Sequence, residues 1–558
     1  MKKIFLLLLC IVVLPCFSEA PLANHILYLL QSGQYGRGIE QYQSLVNSTH
    51  KHDYQMLEQI GNIILNQGAQ SDDETTQLLS MYGAALSGSK EIMYLFEKGM
   101  QSKNPSTQLA TINFLRQNSN DQAITLLTKA FSSPYPIVRL EAAYALCEKK
   151  AHRTTGLIYS LMQRFPPPYQ GTFANLFAMM GCQESLSILK KLIGHKNTYV
   201  RIAAILAAAN FGRDDFTALI KRGFNHAGAV EKEACVYALG YFQDFSSLKT
   251  FTQIAKNPNP NLALCASKAL VNLGDEKGYE RVIVEAKKKN PFAIFMLQGI
   301  ENSDALLLQL LCDKDKNVRL NATVALLEKR NPVCTDSVID LLTKKSSDLG
   351  FIPIQSQAGA LFAWKSITSC REVSKKLKQN LPLITHQFKE KMLVNALELP
   401  QESFLKIAKH VLDEDNNTLI PVVIRLLESI ASEDVKQLLE QESNKVGCPF
   451  NRTYSHLSLY RLKSNTQYHK SKLIEWASNQ KNHTLIEFKP LPTFDKNYAL
   501  ENTFQLTPQE KSQLLIETFD ALATSHDKEG IDLLINLIKE GHDQNRYLLA
   551  GLLMKCIL

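Results

Sequence analysis

One phrase recurs along this chain at nearly constant spacing, and it constrains the fold more than any other feature. It reads "VRLEAAYAL" from Val138, "VRIAAILAAA" from Val200 and "VRLNATVAL" from Val318. The residues aligned with Val138 lie at steps of 31, 31, 31, 30 and 32: Thr107, Val138, Tyr169, Val200, Val230 and Leu262. Phe292 and Val318 continue the series at steps of 30 and 26. Such a period is typical of repeat architectures, in which similar units stack along one axis.

Each repeat has the same internal order of helix signals. Val138, Ala142, Ala145 and Leu146 follow the i, i+4, i+7, i+8 spacing that places side chains on one helix face. A proline or asparagine cluster precedes this stripe, a glycine often ends it, and an aspartate often opens a second apolar stripe. The glycines predicted to end first helices are Gly181, Gly212, Gly240 and Gly274. The repeat therefore predicts two helices joined by a tight turn, and its alanines allow neighbouring first helices to pack closely.

An arginine follows the valine in three repeats, at Arg139, Arg201 and Arg319. Each lies at the edge of the buried stripe. We therefore expect a structural ladder in which each guanidinium contacts a carboxylate or carbonyl of the next unit. Other repeats have Glu231 or Ala263 at this position, which argues against a catalytic role.

The pattern V-R-x-x-A-x-x-A-L, then glycine, then aspartate, resembles HEAT repeats, and most of all the short bacterial form called phycobilisome-lyase HEAT-like. The resemblance covers residues 104–330. It implies an all-α fold, a right-handed α-solenoid of helix pairs with about 31 residues per repeat. The layout, with an export signal at the start and the tail "LTPQEKSQLLIETFDALA" at 506–523, is also similar to exported HEAT-repeat proteins of chlamydia-like bacteria. The motif specifies an architecture and leaves the function open.

The first twenty residues have the order of a signal peptide. Basic Lys2 and Lys3 precede an apolar stretch at 4–14, and Ser18-Glu19-Ala20 resembles a cleavage site. This stretch is shorter than the about 20 apolar residues that span a bilayer. We expect cleavage and export, with the periplasm as destination; secretion, or lipidation at Cys16 to give an outer-membrane lipoprotein, are the alternatives. The mature chain is predicted to lack a transmembrane segment, and peripheral association with the envelope stays open.

The segments around the repeats are predicted to be mostly helical. Residues 21–103 read as an N-terminal helical cap with one tetratricopeptide-like helix pair. Residues 331–443 read as degenerate helical repeats, for example "SQAGALFAWKSI" at 356–367. Residues 444–506 are predicted to be an irregular insertion that contains aromatic residues and prolines, and 507–558 to be closing helices.

The insertion 444–506 is a candidate surface for a protein partner, because aromatic side chains dominate binding hot spots. Its candidate contact residues are Phe450, Tyr454, Tyr460, Trp476, Phe494 and Tyr498. The alternative is that these aromatics form a private core that caps the end of the stack.

No sequence signature points to catalysis, a cofactor or a metal. The chain has no HExxH, GxSxG or P-loop, and its 11 cysteines form no CxxC or zinc-like cluster. Cys235 and Cys265, in adjacent repeats, are a pair that could form a disulfide in an oxidising compartment. A net charge of +8 without a basic, aromatic-rich stripe gives no indication of nucleic-acid binding.

Three classes of function remain. The first is a non-enzymatic scaffold of the cell envelope that binds an unidentified protein through the concave solenoid face or the 444–506 insertion. The second, by family analogy, is an enzyme of the bilin-lyase type, which the export signal disfavours. The third is a secreted factor or adhesin that acts on another cell.

Overall fold

The structure, a computed structural model, describes residues 19–89, 92–118, 120–343, 349–414, 418–445, 449–490, 504–507 and 510–556. The described residues do not include 1–18 of the predicted signal peptide, and therefore Cys16. They also do not include the candidate contact residues Phe494 and Tyr498. The chain divides into two compact units. Unit 1 combines Met1–Lys149 with Leu459–Leu558, and unit 2 is Lys150–Ser458.

The N-terminal part of unit 1 is helical. Its helices are α1 (Glu19–Gln31), α2 (Tyr35–Thr49), α3 (Tyr54–Gln70), α4 (Glu74–Ser87), α5 (Met93–Gln101), α6 (Pro105–Gln117), α7 (Asp121–Lys129) and α8 (Pro136–Glu148). Capping side chains begin several of them: Asp53, Asp73, Asn104 and Asn120 each accept a hydrogen bond from a first-turn backbone N–H.

Unit 2 continues with helices and one pair of strands. Its elements are α9 (Thr155–Met162), α10 (Pro167–Gln170), α11 (Ala174–Met180), α12 (Gln183–Ile193), α13 (Thr198–Asn210), α14 (Thr217–Phe224), α15 (Ala229–Tyr241), α16 (Leu248–Ile254), α17 (Pro260–Asn272), α18 (Lys277–Lys287), α19 (Pro291–Met296), α20 (Asp304–Leu311), α21 (Lys316–Glu328), α22 (Thr335–Leu342), β1 (Gly350–Gln355), β2 (Phe362–Ile367), α23 (Lys375–Ala396), α24 (Gln401–Leu412), α25 (Ile420–Ile430), α26 (Glu433–Ser443) and α27 (Pro449–Arg461). The boundary between the units falls within α27.

The repeats of unit 2 form the predicted solenoid of helix pairs, so the all-α solenoid fold is confirmed. The first helices α13, α15, α17, α19 and α21 pack in a row, each on the next. The alanine stripe lies in this contact, where Val200, Ala204 and Ala208 are fully buried. Close packing of small side chains is what lets each first helix approach both of its neighbours.

One of the four predicted helix-ending glycines has a different role. Gly181, Gly212 and Gly274 have φ values of +68°, +63° and +78°, the left-handed conformation expected just past a helix end. Gly240 instead lies inside α15, where a β-carbon would overlap Ala269 of α17. Its missing side chain therefore serves the contact between two first helices rather than a turn.

Part of the predicted degenerate helical repeats is a β-hairpin, so the helical prediction for "SQAGALFAWKSI" is wrong. β1 and β2 pair antiparallel, with Gly350 opposite Ile367 and Gln355 opposite Phe362. The alanines at 358, 360 and 363 imitate the repeat motif, but Gly359 has a φ of +81° and turns the chain. The aromatic residues Phe362 and Trp364 then follow at the two-residue period of a strand.

The predicted irregular insertion is regular over its first part. α27 and the following helix α28 (Thr466–Ser478) cover most of 449–478. The strands β3 (Glu487–Pro490) and β4 (Phe504–Thr507) then pair antiparallel. Unit 1 ends with α29 (Glu510–Thr524), α30 (Lys528–Glu540) and α31 (Arg546–Lys555).

The two segments predicted as separate end caps pack against each other in unit 1. The last helix, α31, lies on α3 and α4, and α30 contacts α2. Gly83 of α4 and Gly551 of α31 meet backbone to backbone, because a β-carbon on Gly551 would overlap the carbonyl of Gly83. Polar contacts join the same segments: Gln43 donates to Asn536 over 2.6 Å, and Lys539 pairs with Glu40 at 3.0 Å. The described helices include none that is long and apolar enough to cross a bilayer.

Candidate functional site

A row of side chains on the first helices of unit 2 forms a surface that we call the first-helix face, and part of this face holds the hairpin. It consists of Tyr199 and Leu206 on α13, Glu233 on α15, Phe295 on α19, and Asn317 and Asn321 on α21. Glu233, Phe295 and Asn321 occupy the same repeat position, three residues after the aligned Val230, Phe292 and Val318. Tyr199 and Asn317 share another position, one residue before the aligned valine. The face is therefore a repeating stripe of the solenoid.

Two asparagines of α21 bind the backbone of β2. The side-chain amide of Asn321 binds both backbone polar groups of Trp364. Its Nδ2 donates to the Trp364 carbonyl over 2.8 Å, and its Oδ1 accepts from the Trp364 N–H at 2.9 Å. The Asn317 Oδ1 accepts from the N–H of Ser366 at 2.8 Å. Residues four apart on a helix are about 6 Å apart along its axis, and residues two apart on a strand are about 6.8 Å apart. Side chains at i and i+4 of a helix can therefore bind backbone groups at i and i+2 of a strand that runs beside it.

A buried glutamate binds the hairpin tip. The carboxylate of Glu233, whose residue is 3% exposed, accepts hydrogen bonds from the Ser356 hydroxyl and from the backbone N–H groups of Ala358 and Ala360. The Ser356 oxygen in turn accepts from the N–H of Leu361 at 3.0 Å. Burial raises the pKa of Glu233, and the three donated bonds oppose that rise. The carboxylate thus satisfies main-chain donors of a turn that would otherwise lack partners.

Aromatic contacts fix the hairpin between the first-helix face and α23. The Phe362 ring lies 5.4 Å from Phe295 of α19 and 5.2 Å from Trp364. Trp364 and Phe351 both contact Phe388 of α23, at 4.4 and 4.7 Å between ring centroids. Such tilted and edge-on pairs add to the energy of apolar burial.

The outer edge of β1 is closed to further strands. The N–H of Phe351 donates to the Thr385 hydroxyl of α23 over 3.0 Å. Two residues on, Pro353 has no N–H to offer. An edge with few free donors is a poor template for strand addition. The hairpin is therefore held by helix side chains and does not extend a sheet.

The three arginines of the predicted ladder share one contact with the backbone, and Arg201 adds a contact with the next repeat. Arg201 binds both oxygens of Glu231 in the next repeat, with Nε–Oε1 2.5 Å and Nη2–Oε2 2.7 Å. Each of the three arginines also donates to the carbonyl six residues before it, in the loop that precedes its own helix: Arg139 to Ser133 and Arg319 to Asp313 at 2.6 Å, and Arg201 to His195 at 2.8 Å. The expected contact with the next unit is thus seen for Arg201. Its partner, Glu231, occupies the position in the next repeat that the arginine has in its own.

Among the described aromatics of the 444–506 segment, Tyr454 and Tyr460 are buried, whereas Tyr468 is 42% exposed. Tyr454 is 1% and Tyr460 7% exposed, and the Phe450 ring contacts Tyr454 at 5.0 Å. Trp476 is half-buried on α28. This arrangement favours the alternative of a private core over a free binding surface.

No group of three or more His, Cys, Asp or Glu side chains among the described residues could hold a metal ion. Cys235 and Cys265 are buried free thiols rather than a disulfide. One open groove, of about 530 Å³, lies beside Lys98 and Gln77 in unit 1. Sequence reasoning missed the first-helix face, whose trace in the sequence is the pair Asn317 and Asn321 at i, i+4 around the aligned valine.

No protein-family model matches the chain, and a search of the curated proteins finds no match. Among solved structures, a complex of Kap95p with RanGDP is similar at 13% identity and a TM-score of 0.29, covering 87% of this chain and 66% of that chain. Kap121p bound to Ste12p is similar at 12% identity and a TM-score of 0.28, covering 96% and 65%. A homology model of the full-length AP-3 complex matches at 12% and 0.28, covering 91% and 90%. The chain spans just under two thirds of the first two proteins, and TM-scores this low transfer nothing to it.

Proposed function

We propose that the chain is a HEAT-like, non-enzymatic scaffold that is exported and binds a protein partner at the bacterial cell envelope, in the periplasm. One observation carries the binding part of the proposal. Side chains at repeat positions of the first-helix face, above all Asn317 and Asn321, bind main-chain groups of an extended polypeptide. A surface that recognises backbone groups is suited to a protein ligand, since every polypeptide presents them.

The face also continues beyond the hairpin tip, where a partner would have access. Tyr199 is 74% exposed and stands at the repeat position that Asn317 occupies four repeats later. Exposed tyrosine supplies large contact area at low entropic cost, which is why it is frequent in binding sites.

Photo-cross-linking in the native organism tests the binding part. A photoreactive phenylalanine at position 199 should give a discrete adduct with a protein that mass spectrometry identifies. The matched control is the same probe at Val284, a 44% exposed residue on the second helix α18. The absence of adducts at 199, or equal adducts at both positions, would contradict binding at this face.

Export rests on the signal-like order of residues 1–20. Mass spectrometry of the native protein in the periplasmic fraction should find an N-terminus between Glu19 and Asn24. An intact Met1 would contradict export by this signal, whereas a lipid on Cys16 would favour the outer-membrane lipoprotein.

A further inference from the structure

The hairpin contacts repeats whose first helices also stack directly on one another. Glu233 and its partner Ser356 are 123 residues apart in sequence, and Asn321 and Trp364 are 43 apart. The first helices contact each other directly, one repeat to the next, about 30 residues apart. In a repeat protein, these nearest-neighbour contacts supply the stability of the stack.

Three of the groups beneath the hairpin are polar, beside the apolar side chains of Leu206 and Phe295. Glu233, Asn317 and Asn321 are directed at main-chain atoms of residues 356–366. Burying a carboxylate and amides costs desolvation and contributes less to stability than apolar residues of the same size would. Their benefit is geometric selectivity for an extended backbone, and once the hairpin leaves, water can satisfy them.

The hairpin is also an element that cannot persist by itself. Two strands without a supporting face are marginally stable in water. Its order therefore depends on the first-helix face and on the aromatic contacts with Phe388 of α23. Such a segment behaves as a ligand that is tethered to its receptor, at an effective concentration of about millimolar.

We infer that the hairpin 350–367 is a displaceable internal ligand of the first-helix face, and that the partner's binding segment is an extended peptide of the same chemistry. That segment has two aromatic residues at i and i+2, and a turn of small residues rich in N–H donors. The backbone N–H and C=O of its second aromatic residue, and the N–H two residues further on, are free to bond to the face, as those of Trp364 and Ser366 do. Phe362, Trp364 and the turn 356–360 provide these features in cis. The inference rests on the proposed function and specifies the partner's binding segment.

A competition experiment on the full mature chain tests the inference. The probe is a fluorescein-labelled synthetic peptide of residues 349–368, and the readout is fluorescence anisotropy. The native chain should bind it weakly, because its own hairpin competes. The chain with Ser356→Ala and Trp364→Ala, which weaken the internal copy, should bind it at least about ten-fold tighter, since one or two lost buried contacts amount to that factor.

Substitutions on the face should act in the opposite direction. Adding Asn321→Ala to the weakened chain should loosen peptide binding by about ten-fold. Adding Asn225→Ala, at an exposed asparagine just after α14, should leave binding unchanged. A scrambled peptide that binds equally well, or hairpin substitutions that do not tighten binding, would overturn the inference.

Hydrogen exchange of the native chain covers the case in which the weakened chain does not fold. The amides of Trp364 and Ser366, which donate to α21, should exchange through local opening, faster than buried amides of α15 and α21. If they exchange only with global unfolding, the hairpin is a fixed part of the core and the inference fails. A cross-linked partner at position 199 together with this failure would retain the scaffold and reject the displaceable hairpin.

Discussion

At the scale of single residues, Glu233 gives unit 2 an unusual dependence on pH. Burial raises the pKa of this carboxyl above its ordinary value of 4.5. The folded state then binds more protons than the unfolded state between the two pKa values. The stabilisation that protonation provides is therefore present below pH 4.5 and is lost as the pH rises through the raised folded pKa.

We expect Glu233→Gln to remove this dependence. The melting temperature of the native chain minus that of the Glu233→Gln chain should increase as the pH falls from 7 towards 5. Glu280→Gln, at an exposed glutamate of α18, is the control and should leave this difference flat. A difference for Glu233→Gln that is constant or decreases on acidification would contradict the assignment of the carboxylate at the hairpin tip.

His52 gives unit 1 the opposite dependence. Its side chain is 4% exposed, contacts Tyr42 at 3.2 Å and faces Asp532 of α30 at 3.3 Å. Burial lowers the pKa of His52 below 6.5, and the carboxylate of Asp532 only partly opposes this effect. A histidine with a lowered folded pKa contributes stability above pH 6.5 that is lost as the pH falls through the folded pKa.

His52→Gln should therefore reduce the loss of stability between pH 7 and pH 5, as measured by differential scanning calorimetry. His226→Gln, at an exposed histidine of unit 2, should not change that loss. An unchanged acid sensitivity in the His52→Gln chain would mean that the contact with α30 does not bury the ring.

At the scale of elements, the close crossing of α4 and α31 depends on glycine. Gly551→Ala places a β-carbon against the carbonyl of Gly83, so the helices must separate. We expect a loss of about 1–3 kcal/mol in the free energy of unfolding, typical of overpacking. Gly36→Ala is the matched control, because Gly36 is exposed in α2 with open space around it. That change should be neutral or stabilising by up to about 1 kcal/mol, as measured by urea unfolding.

The hairpin shows where periodicity misleads. The spacing of alanines in "SQAGALFAWKSI" fits a first helix, so the sequence predicts another repeat. The outcome is decided by partners that the local pattern does not contain: Glu233 and Asn321 on distant first helices, and Phe388 on α23. Tertiary contacts of this kind regularly override local propensity. The same limit hid the candidate site, because a stripe of Glu and Asn on a helix reads as solvated until a strand is seen on it.

At the scale of the whole molecule, the repeat period was sufficient for the fold class and insufficient for the pairing of the chain ends. A repeat period near 31 residues indicates that each unit stacks on its neighbours, and these neighbours are close in sequence. The contact of α31 with α3 and α4 joins segments that are more than 400 residues apart and follows no period. The sequence features that accompany this contact are glycines within helices, Gly61, Gly68, Gly83 and Gly551. A single sequence does not show that these glycines pack against each other's helices.

This pairing predicts that the two parts of unit 1 fold together. Co-expressed fragments 21–149 and 459–558 should co-purify and unfold in one cooperative transition, because each supplies a helix face that the other buries. Expressed alone, each fragment would expose that face and should aggregate. Gly551→Val in the C-terminal fragment provides the specific control, since it blocks the approach of α31 to α4 and should abolish co-purification. If fragment 459–558 is instead a stable monomer that does not bind its counterpart, the two segments are independent caps and the packing of α31 on α3 and α4 does not hold unit 1 together.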